Sequence, residues 1–181
     1  MNTIAFDLGA KTGWGQNWGG VICSGVMLFK REPSEQGDAW RWARASRWFD
    51  EVVAGADFAV YEESHFQKGW QAQQAYHALA TRLVEACGRH GVPCKGVSVS
   101  DLKRWATGKG NCGKLAMIER AVQLSDDFAT RYGDWTRERK ATAAEVEAAW
   151  ADEADALLLL AYALETLAEG LQTAGERTET T

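Results

Sequence analysis

The stretch IAFDLGAKTGWG, residues 4–15, decides how this chain is read. Residues 3–8 alternate in character and end in Asp-Leu-Gly, as a strand running into a turn does. Beyond that turn, residues 13–18 and 21–29 flank Gly19-Gly20, a pair that signals a hairpin. Three strands in succession therefore open the chain. Asp7 stands at the end of the first, where sheets tend to bind ligands.

Working outward, strands give way to an alternation with helices. Asp38 can cap a helix running to about Val53, with Trp40, Trp48 and Val52 at helical spacings. Residues 57–62 (DFAVYE) form a short buried strand that runs into carboxylates. Residues 71–89 read as a second helix, 93–99 as a strand, and Ser100-Asp101 as the start of a short helix. The segment 112–124 is helical, 125–140 is polar and poorly patterned, and 143–149 and 152–168 are two further helical segments. The order implies an α/β domain with a mixed sheet, antiparallel at its start and flanked by helices. One domain is expected over residues 1–170, followed by a disordered acidic tail at 171–181.

The totals suit that reading. With 46% hydrophobic and 25% charged residues the composition is that of an ordinary globular protein. The N-terminus has no secretory pattern, and no apolar run is long enough to cross a membrane. A soluble protein of the cytoplasm, in a bacterial or phage-infected cell, is expected. Cys23, Cys87, Cys94 and Cys112 lie at irregular spacings, which suits free buried thiols rather than a zinc site or disulfide framework. Residues 1–140 carry 19 Lys/Arg against 16 Asp/Glu, and residues 141–181 carry one Arg against nine. The net charge of −5 thus belongs to the C-terminal region, and a mildly basic body remains for phosphates.

Acids recur at the ends of elements. Asp7 ends the first strand, Glu62 and Glu63 end the fourth, and Asp152 and Asp155 open the last helix, three apart on one face. Taken singly, each has a bland explanation as a cap or a solvated charge. Taken together, converging carboxylates repel one another, and divalent cations with oxygen ligands relieve that repulsion. Two such cations about 4 Å apart can activate a water and stabilise the leaving oxygen of a phosphodiester. Most of the nine tryptophans are read as core, and Arg41, Arg44 and Arg47 as a solvated helix face.

The segment GKGNCGKL, residues 108–115, nearly spells a nucleotide-gripping loop, but Leu115 stands where a hydroxyl should hold Mg²⁺. The preceding DLKRWAT is helix-like, whereas such loops follow a buried strand. A nucleotide cofactor is therefore not expected.

In order along the chain, IAFDLGAKTGWG, VYEE, TGKGNCGK and ADEADALLL resemble the RuvC-type Holliday-junction resolvases of the ribonuclease H-like superfamily. The resemblance spans residues 1 to about 168. It implies a ribonuclease H-like fold with a mixed five-stranded sheet, a homodimer, and cutting of four-way DNA junctions that depends on two Mg²⁺ or Mn²⁺ ions per site. Carried over residue by residue, it makes Asp7, Glu62, Asp152 and Asp155 the catalytic metal ligands. A one-residue shift in register would exchange Glu62 for Glu63. Lys114 matches the family's basic residue near the scissile phosphate, with Lys109 beside it. Lys103 and Arg104 are candidate phosphate contacts, and His65 and Phe66 share the place of an aromatic that stacks on junction bases. Other readings are a less selective flap or single-strand endonuclease, a non-catalytic module that binds branched DNA, and a relative of actin-like ATPases. The last would need two such domains.

Overall fold

Gly19 and Gly20, at φ +59° and +91°, fold the chain tightly back on itself, a geometry in which a side chain would be strained. They join β2 (Lys11–Trp18) to β3 (Val21–Leu28), and β2 pairs on its other side with β1 (Thr3–Asp7). The computed structural model describes residues 1–30, 38–64 and 69–167. With β4 (Phe58–Glu63) and β5 (Cys94–Ser98) these strands form one sheet in the order β3-β2-β1-β4-β5. The β1–β2 and β2–β3 pairs are antiparallel, and the β1–β4 and β4–β5 pairs are parallel. This is the mixed five-stranded sheet expected from the sequence.

Strand alternation sorts β1 between two cores. Ile4 and Phe6 enter the core beneath α1 (Ala39–Val53) and α2 (Trp70–His90), where Phe6, Phe29, Trp48 and Phe49 meet largely edge to face. Ala5 enters the opposite core, with Phe58 and Val60 of β4. That second face is covered by α6 (Ala143–Tyr162), supported by α3 (Val99–Thr107), α4 (Lys114–Leu124) and α5 (Asp126–Arg139).

Helix α6 is held by packing. Leu157–Leu160 are each no more than 3% exposed. Burying a leucine contributes roughly 2 kcal/mol, enough in sum to carry acids into a half-buried place on the same helix. Its approach to β2 is unusually close. A Cβ on Gly13 would lie 1.8 Å from the backbone oxygen of Asp152, so only glycine fits there.

Two expectations are corrected. The segments 143–149 and 152–168 are one continuous helix that begins with a capping box, Thr142 and Glu145 each satisfying the other's backbone N–H, and runs on into a π-helical turn (Ala163–Leu167). Asp152 and Asp155 therefore lie inside the helix, and no helix start explains them. The region 125–140 is mostly the helix α5, capped by Ser125 Oγ, which accepts from the Phe128 N–H. Only Phe128 of α5 is fully buried, so its apolar period is faint. The helix is secured by Phe128 and Trp135 packing edge-on against Trp150 of α6.

Smaller differences follow the same lines. Cys87 is buried, but Cys23 lies exposed on the edge strand β3. Arg41 is not a solvated charge, since its guanidinium lies 4.1 Å from the centre of the Trp42 ring. Among the described residues, no helix is long and apolar enough to cross a membrane. His65, Phe66 and the 171–181 tail lie outside the described residues.

Candidate active site

The β1–β4 register brings the acids together. Phe6 faces Tyr61, so the next step along both strands sets Asp7 beside Glu62. By alternation both side chains point to the α6 side of the sheet, where Ala5 and Val60 also point. Asp152 and Asp155, three apart in α6, present their carboxylates to the same spot. The result is a pocket of about 260 Å³ lined by Asp7, Glu62, Asp152 and Asp155, with Lys11, Lys103 and Lys114 among its walls. Leu8, Val99 and Met117 supply apolar lining.

Glu62 and Glu63 part company here. Glu62 lines the pocket, whereas the Glu63 side chain lies over Gly96 of β5, where a Cβ would come within 3.1 Å of it. The alternation of β4 separates the two neighbours onto opposite faces.

The carboxylates hold one another in tension. Burial, and then repulsion from Glu62, Asp155 and Asp152, raises Asp7 well above the ordinary carboxylate range, with Lys114 opposing. Glu62 is pushed up to about 7, first by burial and then by Asp155, against relief from Lys103 and Lys114. Asp155 rises to about 6, again chiefly through burial, with the same two lysines opposing. One oxygen of Asp155 is buried with no hydrogen-bond partner. Such a group is costly unless something positive meets it.

The donor set fits a hard divalent cation. All four candidate ligands are carboxylates, one carries an orphaned oxygen, and their mutual repulsion is what such a cation relieves. As the side chains stand, no group of three or more His, Cys, Asp or Glu among the described residues is drawn tightly enough together to hold a metal ion. Ligation would need these acids to close inward.

The basic residues divide. Lys114 is the first residue of α4, whose start has no side-chain cap and no acid in its first turn. A lysine is electrostatically unfavourable there, yet Lys114 lines the acidic pocket. Lys103 lines the pocket from α3. Lys109 and Arg104 do not. Lys109 is exposed on the loop, and Arg104 is paired with Asp101 at 3.0 Å. The loop itself follows the helix α3, which ends at Gly108 (φ +77°), rather than following a strand.

Sequence reasoning missed Lys11. Its ammonium donates to the carbonyl oxygens of Ala148 and Ala149 at 2.7 and 2.8 Å and pairs with Asp152 at 3.0 Å. It also missed Glu153, a buried acid that accepts from Ser24 Oγ and from Arg131, each at 2.7 Å. Lys11 had one available signal, its place two residues after the Asp-Leu-Gly stretch.

Comparison with known proteins agrees with this arrangement at the level of fold. No protein-family model matches the sequence, and no curated protein is significantly similar to it. Among solved structures, Thermus thermophilus RuvC matches over 94% of this chain and 97% of its own, with a TM-score of 0.62 and 16% identity. The same protein in complex with a Holliday junction substrate matches over 88% of this chain and 90% of its own, with a TM-score of 0.63 and 17% identity. The chain has the ribonuclease H-like fold found in RuvC.

Proposed function

We propose that this protein is a metal-dependent endonuclease that resolves four-way DNA junctions. The observation that carries the reading is the pocket itself, in which carboxylates from β1, β4 and α6 face lysines from α3 and α4. The ribonuclease H-like fold supports it, as does the junction-bound form of a structural match. Asp7, Glu62, Asp152 and Asp155 are the proposed ligands of two Mg²⁺ or Mn²⁺ ions. Bound there, such ions would supply Lewis acidity toward a phosphodiester and a nearby water.

The remaining chemistry belongs to the chain. Lys114 and Lys103 offset the charge of the phosphate entering an acidic pocket, and Lys114 meets the charge that builds up at bond cleavage. Lys109 and Arg104, exposed outside the pocket, suit contacts to the flanking backbone. Leu8, Val99 and Met117 limit water beneath the acids. Cutting opposed strands of a junction calls for two symmetric sites, so the active form is a homodimer.

The test is a cleavage assay with purified protein in Mg²⁺ or Mn²⁺ on four-way junctions, flaps, single strands and duplex. Paired, symmetric nicks in junctions are expected. Preference for flaps or single strands would replace the resolvase reading with a less selective nuclease, and no cleavage of any DNA would overturn both.

A further inference from the structure

Of the four acids in the pocket, only Asp152 has a close ion pair among the described residues. The Lys11 ammonium donates to Ala148 O and Ala149 O and forms an ion pair with the Asp152 carboxylate at 3.0 Å. Its backbone is also fixed. The turn that contains it is closed by Thr12, whose hydroxyl donates to Gly9 O at 2.7 Å, and Lys11 pairs with Leu28 across the β2–β3 ladder. Asp7, Glu62 and Asp155 have no ion pair among the described residues. Lys103 and Lys114 reach them only through the field. Asp155 retains its unpartnered oxygen.

The four carboxylates are thus three without a close ion pair and one with. We propose that Lys11 is a positioning residue that occupies Asp152 and makes the two ion sites of the pocket unequal. This rests on the reading of the pocket as a divalent-metal site. Asp7, Glu62 and Asp155 can close on a first ion without giving up an ion pair. Lys11 holds the Asp152 Oδ2 and offsets that carboxylate's charge, so a second ion binds Asp152 against the lysine's charge, and Lys11 sets the higher metal concentration at which the site fills. Until then it keeps Asp152 from adding its full repulsion to the other three.

The test reads metal uptake directly, by electron paramagnetic resonance of free Mn²⁺ titrated into DNA-free protein. Wild type should show a tight and a weak ion. Lys11→Met should tighten the weak ion about five- to tenfold, the worth of a largely buried ion pair, and leave the tight one nearly unchanged. Lys11→Gln, which keeps an amide donor for the two carbonyls and so protects the helix contact, should do the same. Lys103→Met removes an equal charge from the same pocket without touching Asp152, and should shift both ions alike. An unchanged or weakened second ion in both Lys11 variants would overturn the proposal. So would selective tightening by Lys103→Met, or two ions of equal affinity in wild type, although the metal-site reading would survive. No Mn²⁺ uptake by wild type would end both.

Discussion

Glu153 and Asp155 lie two residues apart on one helix, both withdrawn from water, and they differ in what meets their charge. Glu153 turns toward the β3 edge, where Ser24 and Arg131 satisfy it, and Arg131 is held in turn by Asp127 at 2.9 Å. Asp155 turns toward β1 and β4, where Asp7 and Glu62 repel it and one oxygen has no partner. A protein that can complete one buried acid has left its neighbour incomplete. The first arrangement ties α5 and α6 to the sheet. The second stores electrostatic cost where a cation would relieve it.

The sharpest way to break this contrast is to neutralise the incomplete side. Asp155→Asn keeps the shape and removes a proposed ligand, so junction cleavage should fall by roughly 10³-fold or more, the scale of losing a key preorganised charge. Gel-shift affinity for the junction should hold or rise, and the melting temperature in chelator should increase because repulsion has gone. A variant that lost cleavage, binding and stability together would make Asp155 a folding residue. Next in size is Lys114→Ala, expected to slow cleavage by about 10²-fold, or ~3 kcal/mol, with a smaller loss of binding. Wild-type rates would remove Lys114 from the chemistry.

The opposite behaviour is expected on the completed side. Glu153→Gln leaves Arg131 with Asp127 as its remaining charge partner and should cost on the order of 2 kcal/mol of stability in denaturant titration. Cleavage by the folded variant should stay within about threefold of wild type. A large rate loss with unchanged stability would erase the distinction between the two acids.

These sides were unequally legible in the sequence. The strand IAFDLG, the Gly19-Gly20 hairpin and the βα alternation were readable because strand period and turn chemistry are local. The acids were readable as a set because each sits near the end of a strand or beside an apolar helical run. The continuity of α6 was not, since an acidic pair inside an apolar helix looks like a helix start. Nor was α5, whose partner Trp150 lies outside its own segment. Lys11 and Glu153 act through contacts more than a hundred residues away in sequence, with Ala148 and Ala149 for one and Ser24 for the other. No spacing rule reaches that far.

The smallest expected effect is on pH dependence. Asp7, Glu62 and Asp155 are all raised in the folded state, so their contribution to stability is full below the ordinary carboxylate range. It is lost as pH rises through about 6 for Asp155 and about 7 for Glu62. In chelator, the melting temperature should therefore drop by a few degrees between pH 5 and pH 8, and Asp155→Asn should flatten that slope. An equally steep slope in the variant would mean that the cleft is not its source.

The most direct measurement is anomalous X-ray scattering from crystals of the protein soaked in Mn²⁺. The first peak should lie among the carboxylates of Asp7, Glu62 and Asp155, with a second near Asp152 only at higher Mn²⁺ concentration. A cleft without any peak in saturating Mn²⁺, or metal bound instead beside Glu153, would contradict the account.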